Sequence, residues 1–298
     1  MHIALATSKD WPVLTPDDRT LLRPLADCGF KAEPAVWSNP KYLWQDCDAV
    51  VIRSCWDYHL RSAEFLRWIA FLESTGCTVW NPPETIRWNT DKSYLRSLET
   101  TGIPIIPTLW FEPKESLSLA DALQERGWAK AVIKPRISAT AYRTQLVETT
   151  TAETGQKLFD ELLAGPGVMV QEFMDGILSE GEWSLMFFGG QFSHAVLKTS
   201  KPGDFRVQSD FGGKSRAADP PGFVIESAIR AVQTIAPALY ARVDGVVDHH
   251  QCQFRIMELE LIEPALFLTS DPAAADRFAD AIAAALQTKM QVRKMGLR

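Results

Sequence analysis

Cysteine is sparse and poorly placed for bridging. Five occur in 298 residues (Cys28, Cys47, Cys55, Cys77 and Cys252), an odd number with no CxxC pair. This fits reduced thiols in a cytoplasmic protein better than a disulfide scaffold. No apolar run approaches the length of a membrane span, and the opening MHIALATSKDWP is too short in apolar residues to be a signal peptide. Positive charge is not in excess either. The 31 basic against 37 acidic residues give a net charge of −6, so neither nucleic acid nor an anionic membrane is expected as a partner. Any phosphate must be met by locally placed cations. Glycine is absent from ATSKDWPVLTPDD (6–18), the first strand-to-helix turn, which argues against a dinucleotide site built on GxGxxG.

What is present alternates. HIALAT (2–7), AEPAVW (32–37), DAVVIRS (48–54) and CTVWN (77–81) read as strands. Between them lie a helical stretch at 16–29, interrupted or begun late by Pro24, and a helix at 62–76 with Phe65, Leu66, Ile69 and Leu72 as its apolar stripe. This order predicts βαβ units and a small parallel sheet over residues 1–90. A helix from Asp91 to Thr101 and the two prolines of IPIIPT then lead into a second unit. That unit is an α+β module of about 105–172, with strands LWFE, AKAVIKPRI, TQLVET and VMVQEFM and two helices. The remainder is mostly antiparallel strand, with a hairpin turn at Gly189 and Gly190, and a last helix at 271–286 capped by Asp271 with Pro272 at its first position. The basic tail 289–298 reads as a solvated end.

The densest chemical signal is ARVDGVVDHHQCQFRIMELELIEP (241–264). In an extended chain Glu258 and Glu260 share one face, while Met257, Leu259 and Leu261 share the other. Two carboxylates on one apolar-framed face repel each other and lose solvation unless a cation neutralises them. The pair therefore points to a hard divalent metal, with Asp244 on the preceding strand as a third ligand. A solvent-facing edge strand is the plainer alternative. Asp248, His249, His250 and Cys252 superficially resemble zinc ligands, but they fall in the expected hairpin turn and lack ligand spacing. Cys55 has only His59 nearby as a base, which is poor support for a nucleophile.

Lys134, at the end of the apolar strand AVIKPR, suits a phosphate, with Ser138, Thr140 and Arg143 in the following loop. A strand-end lysine reaching solvent is equally compatible. The strand VQEFM ends with Gln171 and Glu172, where a hinge would offer backbone to a purine edge, and Glu182 could bond both hydroxyls of a ribose or simply begin a surface strand. Arg206, flanked by Gly203, Gly212 and Gly213, lies on a segment suited to carrying a guanidinium to developing charge. Arg242, two residues before Asp244, either pairs with it or binds phosphate beside the metal.

Taken in order, Lys92 in NTDKSYL, Lys134 in VIKP, VQEFM followed by GEWSL, DFRVQSDFGG, ARVDGVV and MELELIEP resemble the ATP-grasp superfamily, near its glutathione-synthetase-like and ribosomal-protein-glutamate-ligase-like members. The resemblance implies an ATP-grasp fold of mixed α/β and α+β character. In it an N-terminal parallel α/β domain (1–90) precedes an ATP-grasp domain (91–298), which carries a lid subdomain at about 105–172 and a C-terminal antiparallel-sheet subdomain. It further implies ATP and Mg as cofactors. Lys92, Lys134 and Ser138 would meet the phosphates, the backbone at Gln171, Glu172 and Phe173 the adenine, and Glu182 the ribose. Arg206 and Arg242 would act on the transferred group, and Asp244, Glu258 and Glu260 would hold the metal.

Two departures from the family pattern stand out. The loop RISATAYRT contains no glycine, and the usual Glu-x-Asn pair reads Glu258-Leu259-Glu260 with an additional Glu263. At the mouth of the N-terminal sheet, Arg53, Trp56, Asp57 and Tyr58 are candidates for holding an amino-acid-like small molecule, with Glu263 joining them. This tract, DWP, NPP and ELELIEP resemble the cycloserine-synthetase type of small ATP-grasp ligases, enzymes of antibiotic biosynthesis that cyclise O-ureido-D-serine. The implied reaction activates a carboxylate as an acyl phosphate for attack by an amine. A nucleotide-binding protein or small-molecule kinase without ligase activity is the competing reading, and the sequence leaves a homodimer open.

Overall fold

The computed structural model describes residues 1–113 and 118–294. Four short strands, His2–Thr7 (β1), Lys31–Val36 (β2), Ala49–Ile52 (β3) and Thr78–Trp80 (β4), form a wholly parallel sheet in the order β2-β1-β3-β4. β1 and β3 lie at its centre and are apolar on both faces, as strands covered on both sides must be. Ile52 and Val50 pack with Phe65, Trp68, Ile69 and Leu72 of helix Ser62–Ser74, while Ile3 and Leu5 face a different cluster. The helical stretch at 16–29 is two short helices, Pro16–Arg19 and Leu22–Asp27. Pro24 sits in the first turn of the second, where its missing N–H removes no bond. Helix Pro83–Asn89, which the sequence reading passed over, fills the run before Lys92.

The second unit is a four-stranded antiparallel sheet of Thr108–Phe111 (β5), Lys130–Pro135 (β6), Gln145–Glu148 (β7) and Val168–Glu172 (β8), ordered β5-β8-β6-β7. Helices Leu119–Arg126 and Glu153–Leu163 bury Leu119, Leu123, Phe159 and Leu162 against it. Gly155 allows the second helix to lie directly on the sheet, because a Cβ there would stand 2.5 Å from Val147 Cγ1.

The third sheet joins Glu182–Phe188 (β9), Gln191–Thr199 (β10), Lys214–Ala217 (β11), Tyr240–Asp248 (β12) and Gln253–Glu260 (β13), all antiparallel, in the order β11-β10-β9-β12-β13. Gly189 and Gly190 both take positive φ (55° and 79°) at the β9–β10 turn, the backbone that a two-residue hairpin demands. On one face Leu185, Phe187, Leu197 and Val243 join Val224, Ala228 and Ala231 of helix Gly222–Gln233.

The other face of this sheet is divided along its length. At one end Met186, Phe188, Val196 and Tyr240 pack with Ile3 and Leu5 of the parallel sheet and with Phe278 and Ile282 of helix Ala274–Lys294. At the other end the same strands present Glu182, Ser184, Lys198, Arg242 and Asp244, all buried. The last helix begins later than its sequence signal, at Ala274, with Asp271 accepting from the Ala273 amide at 2.8 Å, and it runs past 286 to Lys294. The final residues of the basic tail, 295–298, lie outside the described residues.

Candidate active site

The charged end of this face forms one wall of a cavity of about 320 Å³, bounded by the second and third sheets and by Trp56 and Tyr58 in the turn after β3. β12 and β13 set its geometry. Their register pairs Asp244 with Glu258 but Gly245 with Ile256, so Met257 is the extra residue of a β-bulge. Met257 thus does not share the face of Leu259 and Leu261, as strict alternation predicts. It packs against a small cluster with Val246 and Ile106, and Ile256 takes the core position. The bulge is braced by the extended crossing before β5, whose Pro104 carbonyl accepts from the Ile256 amide and whose Ile106 amide donates to the Ile256 carbonyl.

Asp244, Glu258 and Glu260 each bring a carboxylate oxygen within 4.8 Å of the others, the only such trio among the described residues. Cations hold them. Lys92 Nζ lies 2.8 Å from Glu258 Oε1, Arg242 Nη2 lies 2.8 Å from Asp244 Oδ2 and 2.5 Å from Glu260 Oε1, and Ser184 Oγ donates to Asp244. Burial alone would raise Asp244, yet Arg242 and Lys198 hold it well below the carboxylate range. Burial likewise works against the Lys92 ammonium, but Glu258 beside it keeps it above its ordinary value. Glu260 goes the other way: burial, only partly offset by Arg242, pushes it up to about 7.

Lys198 was not singled out from the sequence. Its ammonium pairs with Glu182 and lies 3.4 Å from Asp244, deep in the same wall. A lysine inside the apolar run HAVLKT, facing the cavity in register with Glu182, was the available signal.

The opposite wall comes from the second sheet. Lys134 Nζ donates to Gln171 Oε1 at 2.7 Å, and burial lowers its pKa. Ser138 lines the cavity, and its carbonyl accepts from Lys92 at 2.6 Å. In the glycine-free loop Thr140, Ala141 and Arg143 take positive φ (52°, 54° and 51°), so ordinary residues bear a left-handed backbone there. Arg143 is turned away to Glu161. Gln171, Glu172 and Phe173 line the cavity, but the amides of Glu172 and Phe173 already donate to Pro107 and Lys130, so neither is free for a purine edge. Arg206 also lines it, with its guanidinium bonded to Asp204 in its own loop and lying over the Phe211 ring.

The substrate candidates divide. Trp56, Tyr58 and Glu263 line the cavity, and burial followed by the Glu263 charge raises the Tyr58 phenol well above its usual range. Arg53 and Asp57 do not line it. Arg53 is 1% exposed, bonded to Asp18 Oδ1 at 2.9 Å and to the Pro264 carbonyl at 2.7 Å, because the alternation of β3 continues one residue into the core. Asp57 accepts from Trp37 Nε1 and faces Arg61. Near the distant hairpin, Asp248 binds Arg255 and His249 binds Glu180, so they do not converge as metal ligands, and Cys55 is fully buried with its thiol pKa raised by desolvation.

Glu263 sits on a fastened segment. Every carbonyl from Leu261 to Ala265 accepts a side-chain bond, in turn from Asn81, Tyr240, Trp56, Arg53 and Arg242. Asn89 binds the Leu259 carbonyl and the Leu261 amide just before it.

A parallel sheet followed by two antiparallel sheets, with Lys134 of one facing the carboxylates of the other across the cavity, makes the fold of the ATP-grasp ligases, and this chain is an ATP-dependent ligase of that class. Residues 3–81 match the family described as D-cycloserine synthetase DcsG, N-terminal domain. The chain is 31% identical to the cycloserine biosynthesis protein DcsG of Streptomyces lavendulae over 96% of each sequence, and it belongs to that family. The crystal structure of D-cycloserine synthetase DcsG superposes with a TM-score of 0.86, covering 96% of this chain and 100% of that one at 31% identity. D-alanine–D-alanine ligase from Bacillus anthracis, complexed with ATP, has the same fold at 17% identity (TM-score 0.70, 99% of each chain). No helix among the described residues is long and apolar enough to cross a membrane.

Proposed function

We propose that the enzyme activates the carboxylate of a small amino-acid-like molecule with ATP and closes it onto a nitrogen nucleophile, within one molecule as in the cycloserine synthetase relative, with O-ureido-D-serine as the substrate to test first. The observation that carries this reading is the confrontation of Lys92, Lys134, Lys198 and Arg242 with Asp244, Glu258 and Glu260 in one cavity. Residues 1–90 would serve as the substrate domain and 91–298 as the nucleotide-binding domain, with about 105–172 as its lid, in the cytoplasm where thiols stay reduced.

The three carboxylates form a hard, all-oxygen donor set that fits Mg2+, which when bound would supply positive charge against the triphosphate. Lys134 and Lys92 reach into the cavity from the lid side and its hinge, where the β- and γ-phosphates would lie. Glu182, with Lys198 beside it, would meet the ribose. The substrate carboxylate oxygen attacks the γ-phosphorus and ADP departs with the bonding pair. The nucleophilic nitrogen then adds to the acyl carbon, loses its proton, and expels inorganic phosphate. Arg242 donates toward the negative charge that grows through both steps, so its effect belongs to the rate more than to nucleotide binding. Closure of the lid keeps water from the acyl phosphate.

ADP release screened over D- and L-amino acids, small peptides and O-ureido-D-serine tests the reading. Lys134→Ala should raise the ATP dissociation constant, whereas Arg242→Ala should lower turnover roughly a hundred- to a thousandfold with a much smaller change in ATP affinity. An Arg242→Ala enzyme that binds ATP poorly yet turns over normally at saturation places Arg242 in ground-state binding instead.

A further inference from the structure

Four carboxylates of the charged cavity wall are matched by cations. Glu258 has Lys92, Asp244 has Arg242 and Lys198, Glu260 has Arg242, and Glu182 has Lys198. Glu263 is only 8% exposed and lines the same cavity, yet among the described residues its carboxylate has no hydrogen-bond or ion-pair partner. Burial, with Glu260 nearby, raises its pKa well above the ordinary carboxylate value, so its ionised form is costly here until something cationic is brought to it. Its surroundings suit a cation: Trp56 and Tyr58 wall the cavity beside it, and the indole of Trp56 is fixed by its bond to the Glu263 carbonyl. The fastened backbone on either side holds the carboxylate in one place, as a pre-formed binding group requires.

Resting on the ligase reading above, we propose that Glu263, walled by Trp56 and Tyr58, receives the α-ammonium group of the molecule whose carboxylate is activated, and thereby restricts the acyl donor to α-amino acids. The two charged ends of an α-amino acid are one carbon apart. A substrate anchored at Glu263 therefore presents its carboxylate to Arg242, whose Nη1 binds the Ala265 carbonyl two residues further along the same segment. An acid lacking the amino group would leave Glu263 desolvated and unpaired, so discrimination against it is large.

The test compares O-ureido-D-serine with its des-amino counterpart, 3-(ureidooxy)propanoate, in wild-type and Glu263→Gln enzymes, by ADP release and by ATP affinity. Wild type should prefer the amino substrate by at least about a hundredfold in kcat/KM. In Glu263→Gln that ratio should fall to within about tenfold, through a higher KM for the amino substrate, while ATP affinity, which also reports an intact fold, is unchanged. Glu263→Asp, which keeps the charge, should retain most of the preference. An unchanged ratio in Glu263→Gln, or equal losses on both substrates, overturns the Glu263 assignment and leaves the ligase reading standing. A wild-type enzyme that releases no ADP with O-ureido-D-serine or any D- or L-amino acid overturns both.

Discussion

Arg53 has no access to solvent, and its guanidinium is shared among Asp18, the Pro264 carbonyl and the faces of Tyr240 and Phe278. It therefore positions the segment that carries Glu263 and does not itself touch substrate. Arg53→Ala would leave Asp18 buried without its cation and the Pro264 carbonyl without its donor, which costs about 3–5 kcal/mol. Urea unfolding should show that loss, and Arg53→Lys should recover little of it, since one ammonium cannot replace a planar fork that bonds in two directions. Normal stability in Arg53→Ala would return the residue to the pocket wall. The sequence placed Arg53 beside Trp56 and Tyr58, and proximity in the chain made it look like a ligand. Its partners lie 35 and 211 residues away, a separation that no local pattern reveals. Glu258 and Glu260 were legible for the opposite reason: two acids at spacing two in an apolar strand announce a shared face without reference to anything distant.

Among elements, the order of strands and helices was readable because each carries its own period and its own stop signals, as helix Ser62–Ser74 ending before Gly76 illustrates. Register was not. The bulge at Met257 changes which residues face the cavity, and it depends on pairing with β12 and on the crossing at Ile106, not on the apolar alternation of β13 itself. β11 escaped notice because its four residues, Lys214–Ala217, are all exposed and have no apolar face to betray a strand. Close packing in the second sheet and its helices, the proposed lid, offers a direct test of its independence. Gly155→Ala would drive a methyl group to 2.5 Å from Val147 Cγ1 and 2.8 Å from Ile133 Cδ1. The strain should cost about 1–3 kcal/mol. Hydrogen exchange should then rise in helix Glu153–Leu163 and strands β6 and β7 while β12 and β13 keep their protection. Uniformly faster exchange across all three sheets would mean that the lid does not open by itself.

For the molecule as a whole, six motifs in sequence order carried the fold, because the cavity draws its charges from points spread between Lys92 and Glu263 and the order of those charges is itself informative. What the order did not convey is how thoroughly the charges neutralise one another before any ligand arrives. Glu260 is pushed up to about 7, so the folded enzyme retains there a proton that an unfolded chain releases near its ordinary 4.5. The stability from that proton is full below about pH 4.5 and is lost as pH rises toward 7. Held by the proposed trio of Asp244, Glu258 and Glu260, Mg2+ would displace that proton, so its apparent affinity should fall about tenfold per pH unit below 7 and level off above it. Titration of Mg2+ between pH 5.5 and 8.5, followed by the shift in melting temperature, checks this. A flat profile would remove Glu260 from the ligand set.

The fastening of residues 261 to 265 bears on how this family could be re-engineered. Donors to those five carbonyls come from residues 53, 56, 81, 240 and 242, scattered over two sheets and the turns between them. Grafting the ELELIEP loop alone into a distant ligase would deliver a strip of backbone without its pins, and the acidic side chain at its centre would wander. Specificity of this kind moves between scaffolds only as a package, with the N-terminal domain and the loop exchanged together.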